Sequence, residues 1–252
     1  MICLICVLLM HLSIYICEIF RNFYGAIMII FGLFGKTGCG KTEILEELKN
    51  YHPVIDIEGC GNTRGSILGD LYHLKQNDQK TFDKLLNEQI EKAKEKGYCI
   101  LEFEGSRIGG NIKLDIPEPF SNLKNYDYCM VINCPYECQI QRLLSYYLPK
   151  NEEEKKLLLE KFKTLKTLFK REEKIKFVGE IIELLEKEDY YNSAKLIEEK
   201  LYGDAYMRPL KKITVDLDVY NTDLSKSVEI INNFVNEKLT EHNITEHNIN
   251  KN

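Results

Sequence analysis

The chain has 252 residues, of which 44% are hydrophobic and 29% are charged, and its formal net charge is -5 at pH 7. These values are typical of one folded domain of a soluble protein, and the negative charge argues against a general coating of nucleic acid, although a local basic face remains open. The nine cysteines are too scattered in a chain of this length for a disulfide scaffold, so we expect reduced thiols in a cytoplasmic protein.

The first 27 residues are an apolar extension. Met1–Phe20 is almost wholly apolar, is interrupted by His11 and Glu18, and is long enough to span a bilayer. No basic segment precedes it, which argues against a secretory signal peptide. We interpret residues 1–27 as a start-site artefact, with translation starting at Met28 and no stable membrane association. The alternative is a membrane anchor, which would make the chain a membrane-tethered regulator.

Strands and helices alternate in the first half of the chain. Ala26–Phe34 is a continuous apolar run, as expected of a buried parallel strand, and the glycine-rich turn Gly35–Thr42 follows it. The other elements predicted here are strands at Pro53–Ile57, Tyr98–Phe103 and Tyr128–Asn133, helices at Glu43–Asn50 and Gln79–Lys96, and loops at Gly59–Gly69 and Glu104–Gly110. Strands that alternate with helices indicate a parallel sheet with crossover connections.

The second half of the chain is mostly helical. The predicted elements are helices at Tyr136–Tyr147, Glu152–Lys174, Val178–Lys187 and Ser193–Leu201, a strand at Lys212–Val219 and a closing helix at Leu224–Leu239. The sequence therefore predicts an α/β fold, a parallel sheet flanked by helices, with a helical insertion after strand four. We place the domain at residues 28–239, the insertion at about 136–201, and a disordered polar tail at 240–252.

One motif follows the first strand and carries a specific chemistry. Gly35–Thr42 reads GKTGCGKT and fits G-x-x-x-x-G-K-[ST]. The glycines let backbone N–H groups converge on phosphate oxygens, the helix N-terminus adds positive potential, Lys41 reaches the terminal phosphates, and Thr42 offers its hydroxyl to a metal such as Mg²⁺. The fold is thus predicted to be P-loop NTPase-like. The predicted phosphate-binding residues are Gly35, Lys36, Thr37, Gly38, Cys39, Gly40, Lys41 and Thr42.

Two pairs of carboxylates follow the second and third strands. Asp56 and Glu58 form one pair, and Glu102 and Glu104 form the other. The spacing i, i+2 places both members of a pair on one side of an extended strand. Such carboxylates bind Mg²⁺ through water or act as general acids and bases, whereas solvated strand ends are the alternative.

Three arginines are candidates for an anion clamp. Arg64 and Arg107 lie in loops after the same two strands, where α/β sheets bind ligands, and Arg142 lies early in a predicted helix. A surface position is the alternative for each arginine. The residues to which we assign catalytic roles are Asp56, Glu58, Arg64, Glu102, Glu104 and Arg107.

A basic stretch with Phe162 and Phe169 interleaved lies within and just after the predicted helix Glu152–Lys174. These basic residues could bind RNA phosphates. An equally good interpretation is a solvated helix face whose charges pair with glutamates. The predicted RNA-binding residues are Lys163, Lys166, Lys170 and Arg171.

The loops resemble those of bacterial tRNA 2-selenouridine synthases. Gly35–Glu43 is similar to the family's G-x-T-G-S-G-K-T-E, and Asp56–Gly69 is similar to its D-L-E-G-x-A-N-H-R-G-S-x-F-G segment. Glu102–Pro117 is similar to its E-x-E-S-x-x-I-G segment and the proline that follows. Leu201–Tyr206 has a weaker similarity to its Y-D-P-x-Y segment. The resemblance runs from about Met28 to Tyr206.

The sequence departs from the family's pattern in several places. Thr63 stands where the family has His, Leu68 stands where it has Phe, and Gly105 looks like an extra residue. Members of the family begin with a rhodanese-like domain that carries an active-site cysteine, and the family has no cysteine at the position of Cys60. The resemblance therefore implies the P-loop half of a split synthase, with tRNA and a separate rhodanese-like protein as its partners.

The resemblance also implies a reaction. The family replaces the sulfur of wobble 2-thiouridine with selenium through an S-geranyl intermediate, using geranyl diphosphate and then selenophosphate. The ligand of the P-loop is then geranyl diphosphate, selenophosphate, or ATP or GTP, with Mg²⁺ as the candidate metal. The alternative enzyme class is a small-molecule or nucleotide kinase, in which the helical insertion would be a lid.

Overall fold

A five-stranded parallel sheet forms the centre of the fold in a computed structural model, which describes residues 28–64, 68, 71–73, 75–110, 112–202 and 208–242. In chain order the strands are β1 (Ile29–Phe34), β2 (Val54–Ile55), β3 (Tyr98–Glu102), β4 (Arg107–Ile108), β5 (Leu114–Asp115), β6 (Tyr128–Asn133) and β7 (Leu217–Tyr220). The sheet order is β2-β3-β1-β6-β7 with parallel pairing throughout, whereas β4 and β5 form a separate antiparallel pair. The expectations for residues 1–27 and 243–252 concern segments outside the described residues.

Helices cover the sheet and form the insertion. They are α1 (Lys41–Leu48), α2 (Ile57–Gly61), α3 (Gln79–Lys96), α4 (Tyr136–Tyr147), α5 (Glu152–Leu168), α6 (Glu172–Glu186), α7 (Tyr190–Ile197) and α8 (Leu224–Glu241). Short 3₁₀ turns lie at Leu71–His73 and Leu123–Asn125, and a π-helical turn, Glu198–Tyr202, continues α7. Among the described residues, no helix is both long and apolar enough to cross a membrane.

The central strand β1 is buried on both faces, which explains its unbroken apolar sequence. Ile30 and Phe34 face a core cluster that includes side chains of α3, whereas Phe31 and Leu33 face a second cluster that includes side chains of α1 and α8. The sheet therefore lies between two helical layers, and the carboxyl ends of β1, β2 and β3 meet along one edge. This edge positions the loops that carry the candidate site residues.

Helices α4 to α7 form a third layer with its own core. Leu143, Phe162 and Ile181 are buried in this cluster, and Leu68, which follows α2 in the chain, joins them. The insertion thus packs over the loop that follows the second strand. This contact brings α4 close to the P-loop.

The predicted architecture is confirmed: a parallel sheet is flanked by helices, and helices follow the fourth strand of the sheet. The bounds predicted for α3, β6 and α4 are also confirmed. Local signals explain this success for α3, because Asp78 accepts a hydrogen bond from the N–H of Thr81 at its start and Gly97 takes a left-handed conformation at its end. The domain bounds themselves stay predictions.

Other element bounds were wrong. The strand predicted at Pro53–Ile57 ends at Ile55, because Asp56 caps α2 and the chain turns into a helix. The loop predicted at Glu104–Gly110 contains β4, which pairs with a strand that the sequence analysis missed.

Several predicted bounds in the second half also need correction, and the helices predicted at Val178–Lys187 and Ser193–Leu201 begin earlier, at Glu172 and Tyr190. The helix predicted at Glu152–Lys174 is divided after Leu168, because α5 and α6 pack against each other in one core and the chain must reverse between them. The strand predicted at Lys212–Val219 is shorter and ends later, at Leu217–Tyr220. The expected disordered tail does not begin at residue 240, because α8 continues to Glu241.

Candidate phosphate-binding site

The P-loop connects β1 to α1 and has the tight curvature that its glycines permit. Gly35 has φ 146° and Gly40 has φ 90°. A Cβ atom at Gly35 would lie 2.3 Å from the carbonyl oxygen of Ile132, so a larger residue would clash with β6. Gly40 caps α1 without a side-chain hydrogen bond, and the N-terminus of this helix provides the positive potential that an anion favours.

Lys41 lies inside the loop and is only 6% exposed. Its Nζ donates to the carbonyl oxygens of Gly35 and Lys36, each at 2.9 Å, and lies 3.1 Å from Oε1 of Glu102. The ammonium group therefore stands at the centre of the loop beside a carboxylate from the end of β3. A phosphate that enters the loop would compete with Glu102 for this charge.

A cavity of about 130 Å³ opens beside Lys41. It lies between the P-loop, the segments after β2 and β3, and the C-terminal half of α4. Its lining residues are Thr37, Gly38, Gly40, Lys41, Thr42, Glu43, Glu58, Arg64, Glu102, Arg142, Tyr146 and Tyr147. The Thr37 hydroxyl is buried and has no hydrogen-bond partner in the described part of the chain, which suits a group that donates to a ligand oxygen.

The structure brings three of the four candidate carboxylates together around Lys41. Burial, followed by the charge of Glu102, raises the pKa of Glu58 to about 8, even though Lys41 acts in the opposite direction. Burial, together with the charges of Glu102 and Glu58, raises the pKa of Glu104 well above its usual range. Near neutral pH Glu58 and Glu104 therefore hold protons that isolated glutamates would release.

Asp56 has a different position from its predicted partner Glu58. Its carboxylate accepts a hydrogen bond from the N–H of Gly59 at 2.8 Å and lies 3.0 Å from Nζ of Lys49. It is not among the residues that line the cavity beside Lys41. The geometry therefore gives Asp56 the role of a helix cap. It also lines a smaller neighbouring cavity together with Thr42, Glu58, Glu102 and Glu104, and its predicted catalytic role stays a prediction.

Two arginines reach the cavity, and a third does not. The side chain of Arg142 donates from Nη1 to the carbonyl oxygen of Gly38 at 3.2 Å, and its Nε lies 3.6 Å from Oε1 of Glu43. Arg64 lines the other side of the cavity. Arg107, which was expected to face the phosphate loop, instead lies in β4, where its Nε is 3.4 Å from Oδ1 of Asp115 and most of its side chain is exposed.

Helix α4 supplies Gln139 and Tyr146, which were not predicted from the sequence, next to the candidate Arg142. Gln139, Arg142 and Tyr146 recur at i, i+3 and i+7, so they lie on one face of the helix. Gln139 is buried and donates from Nε2 to the carbonyl oxygen of Thr37 at 3.2 Å and to Oε1 of Glu198 at 3.4 Å. The helical spacing of these three polar residues could have indicated a functional face in the sequence. That this face contacts the P-loop is shown only by the packing of the insertion.

The predicted RNA-binding residues lie away from the cavity. Lys163 and Lys166 are exposed on α5, and Lys170 and Arg171 are exposed in the link between α5 and α6. Nζ of Lys163 is 3.4 Å from Oε1 of Glu186, so part of the basic charge is paired within the insertion. Their role in RNA binding stays a prediction.

The metal site predicted at Thr42 also stays a prediction. In the described ranges, no group of three or more His, Cys, Asp or Glu side chains is arranged to hold a metal ion. However, Thr42 lines the cavity together with Glu58 and Glu102, and hydroxyl, carboxylate and phosphate oxygens are the donors that Mg²⁺ prefers. The donors present thus fit a magnesium ion that is bound together with a phosphorylated ligand.

Proteins of one family are similar to this chain in sequence. A family model described as the tRNA 2-selenouridine synthase AAA domain matches residues 27–206. An uncharacterized protein of Methanocaldococcus jannaschii is 60% identical over 223 residues, which cover 88% of this chain and 98% of that protein. A tRNA 2-selenouridine synthase of Pseudomonas aeruginosa is 34% identical over 116 residues, which are 45% of this chain and 30% of the synthase.

The match to that named synthase thus spans less than a third of its length. Among solved structures, a crystal structure of a Thermus thermophilus protein covers 84% of this chain at 13% identity with a TM-score of 0.38, which is too low to support an argument.

Proposed function

Because the chain belongs to the tRNA 2-selenouridine synthase AAA-domain family, we propose that it is the P-loop subunit of an enzyme that converts wobble 2-thiouridine in tRNA to 2-selenouridine through an S-geranyl intermediate. The phosphorylated ligand of the P-loop is then geranyl diphosphate. The observation that carries this choice is a second, apolar cavity that adjoins the phosphate cavity.

The apolar cavity lies between α4, α5, α6 and α7 and measures about 30 Å³. Tyr147 lines both cavities, so the two are neighbours. The other lining residues are Leu68, Leu143, Leu144, Leu148, Leu158, Leu185, Tyr190, Ser193, Ala194 and Ile197. The apolar lining beside a polar cavity suits a ligand with a charged diphosphate and a hydrocarbon chain. Because about 30 Å³ is far less than a geranyl chain occupies, the helices must separate to admit the chain.

The chemistry of the first step assigns roles to the residues around the P-loop. The sulfur of 2-thiouridine attacks C1 of geranyl diphosphate, so a C–S bond forms and the C–O bond to diphosphate breaks. We assign the stabilisation of the departing diphosphate to Lys41, Arg64, Arg142 and the loop N–H groups, because the three cations line one cavity. The base also loses its N3 proton, and we assign Glu58 as the acceptor because it lines the same cavity and has a pKa of about 8.

The second step needs selenophosphate and a reactive thiol. The described cysteines do not offer an exposed one in the matched loop, because Cys60 is 1% exposed and burial raises its pKa to about 12. Cys39 has a pKa lowered to about 7, chiefly by a hydrogen bond with Cys134, yet it is only 2% exposed. We therefore propose that a separate rhodanese-like protein supplies the thiol, and that both act on tRNA in the cytoplasm.

The direct test uses the purified chain, tRNA that contains 2-thiouridine, and geranyl diphosphate. We expect mass spectrometry of the digested tRNA to show S-geranyl-2-thiouridine, and we expect no 2-selenouridine when selenophosphate is added without a partner. The absence of geranyl transfer would contradict the proposed function. Full conversion by this chain alone, with loss of conversion in Cys60→Ala, would overturn the split arrangement and make Cys60 the reactive thiol.

The apolar cavity makes a separate prediction. Leu148 lines it and is 45% exposed, so Leu148→Asp can place a charge at the cavity without burying it deeply. We expect the affinity for geranyl diphosphate to fall about tenfold, because the carboxylate disfavours the hydrocarbon chain, while the affinity for inorganic diphosphate changes less than about twofold. Isothermal titration calorimetry with both ligands measures the ratio.

Leu168→Asp is the matched control, because Leu168 is exposed at the end of α5 and is not among the cavity residues. It should change neither affinity. Equal losses for both ligands in Leu148→Asp would show that the apolar cavity does not distinguish them.

A small-molecule kinase is the second candidate. The observation in its favour is the contact of Arg142 with Gly38, because it places an arginine of the insertion over the P-loop, as in a lid that covers a nucleotide. Incubation with labelled ATP and small acceptors decides the matter: transfer of the label would support a kinase.

A further inference from the structure

Tyr146 lies at the mouth of the phosphate cavity in a fixed orientation. Its hydroxyl donates to Oε1 of Glu43 at 3.1 Å, and its carbonyl oxygen accepts from Nη1 of Arg64 at 3.3 Å. The guanidinium carbon of Arg64 lies 5.5 Å from the centre of the tyrosine ring. Contacts with two other parts of the chain therefore hold both ends of this residue.

The ring is nevertheless accessible, since Tyr146 is 38% exposed. An aromatic ring with a guanidinium group beside it is the arrangement on which proteins stack unpaired nucleobases. Tyr146 and Arg64 also line the cavity that contains Lys41, so a base stacked here would lie beside a ligand bound in the P-loop.

We propose that Tyr146 stacks on the target pyrimidine of the tRNA and so holds the reacting base over the phosphate cavity, with Arg64 supporting the ring. This inference rests on the proposed function, because it takes the base of an RNA as the second substrate. The adenine of a bound nucleotide is the competing occupant, and it would be expected if the chain were a kinase.

The chain provides a matched control on the same helix. Tyr136 begins α4, is 39% exposed, donates from its hydroxyl to Oε1 of Glu199 at 2.9 Å, and has Nζ of Lys195 at 6.0 Å from its ring centre. It thus shares the exposure, the acidic partner and the neighbouring cation of Tyr146. It differs in position, because it does not line the phosphate cavity.

The experiment compares Tyr146→Leu, Tyr146→Phe and Tyr136→Leu in the full chain. For Tyr146→Leu we expect the dissociation constant for 2-thiouridine-containing tRNA, and the KM for that tRNA in geranyl transfer, to rise about tenfold, as stacking energies imply. The affinity for geranyl diphosphate should stay within about twofold, because the diphosphate contacts are unchanged. Tyr146→Phe keeps the ring and should behave like the parent, as should Tyr136→Leu.

The outcomes separate this inference from the proposed function. A parent protein that binds tRNA but transfers no geranyl group would refute the proposed function, and Tyr146→Leu would still test the stacking through tRNA affinity. Unchanged tRNA affinity and KM in Tyr146→Leu would overturn the inference, as would a parent that does not bind tRNA. A loss of ATP affinity with unchanged tRNA affinity would assign the ring to a nucleotide instead.

Discussion

Replacement of Lys41 with alanine is expected to weaken the binding of geranyl diphosphate and of inorganic diphosphate by about a hundredfold or more, because a buried ammonium group makes charge-assisted hydrogen bonds to phosphate oxygens. The structure places this ammonium at the centre of the loop, 2.9 Å from two loop carbonyl oxygens. Titration calorimetry with both ligands measures the loss.

The fold should survive this substitution. Lys41 contacts loop carbonyls and Glu102 rather than the apolar core, so its replacement leaves the core packing intact. Circular dichroism and thermal unfolding check that the variant is folded. If a folded Lys41→Ala protein bound diphosphate as tightly as the parent, the assignment of the P-loop as the ligand site would be wrong.

Lys36→Ala serves as the matched control within the same loop. The Lys36 side chain is 39% exposed, and its Nζ lies 3.9 Å from Oε1 of Glu198 rather than at the loop centre. We expect its loss to change diphosphate affinity by less than about threefold, as is usual for a partly exposed charge. The comparison separates a central phosphate ligand from general positive charge near the loop.

Replacement of Glu58 with glutamine is expected to slow geranyl transfer by roughly a hundredfold to ten-thousandfold, which is the usual contribution of a general base. The variant keeps the shape of the side chain but cannot accept the N3 proton. Its affinity for geranyl diphosphate should stay within about threefold of the parent, because the phosphate ligands are intact. Single-turnover rates at saturating tRNA measure the chemical step.

The role of Glu58 as a general base also predicts how kcat/KM depends on pH. A general base acts in its ionised form, so kcat/KM of the parent should rise with pH and level off above the pKa of about 8. Glu58→Gln should lose this rise. A parent rate that is flat between pH 6 and pH 9, or a variant that keeps the same rise, would exclude Glu58 as the base.

The same shift in pKa affects stability with a defined sign. The folded protein holds the Glu58 proton up to about pH 8, whereas an unfolded glutamate releases it near its usual value of 4.5. Its contribution to the free energy of unfolding is therefore complete at low pH and is lost as pH rises toward 8. Chemical denaturation at pH 5 and pH 8 should show a smaller difference in Glu58→Gln than in the parent.

Asp56→Asn is the control for both measurements with Glu58. It removes a carboxylate two residues away, and asparagine caps helices about as well as aspartate, so α2 should persist. Because Asp56 does not line the cavity beside Lys41, the rate at high pH should match that of the parent. The charge of Asp56 helps to raise the pKa of Glu58, so the rise with pH should persist but should level off at a lower pH. A loss of activity equal to that of Glu58→Gln would indicate that the variants act through the backbone of this segment.

The sequence by itself determined the features that depend on neighbouring residues. The P-loop follows from eight consecutive residues, and α3 follows from apolar periodicity between an aspartate cap and a glycine stop. The buried strand β6 and helix α4 carry equally local signals, and the loop motifs were enough to indicate the family. Such features need only short-range sterics, hydrogen bonding and hydrophobic patterning.

Only the tertiary structure decided which of the candidate residues share a site. The prediction for Asp56 and Glu58 assumed an extended strand, in which both side chains would lie on one side. A helix begins at Ile57 instead, so Asp56 caps this helix whereas Glu58 lines the cavity beside Lys41. Tyr146 contacts Glu43 across 103 positions of the chain, and Arg142 contacts Gly38 across 104. Such contacts exist because the core of the insertion packs α4 against the P-loop, and no local propensity or residue spacing encodes that packing.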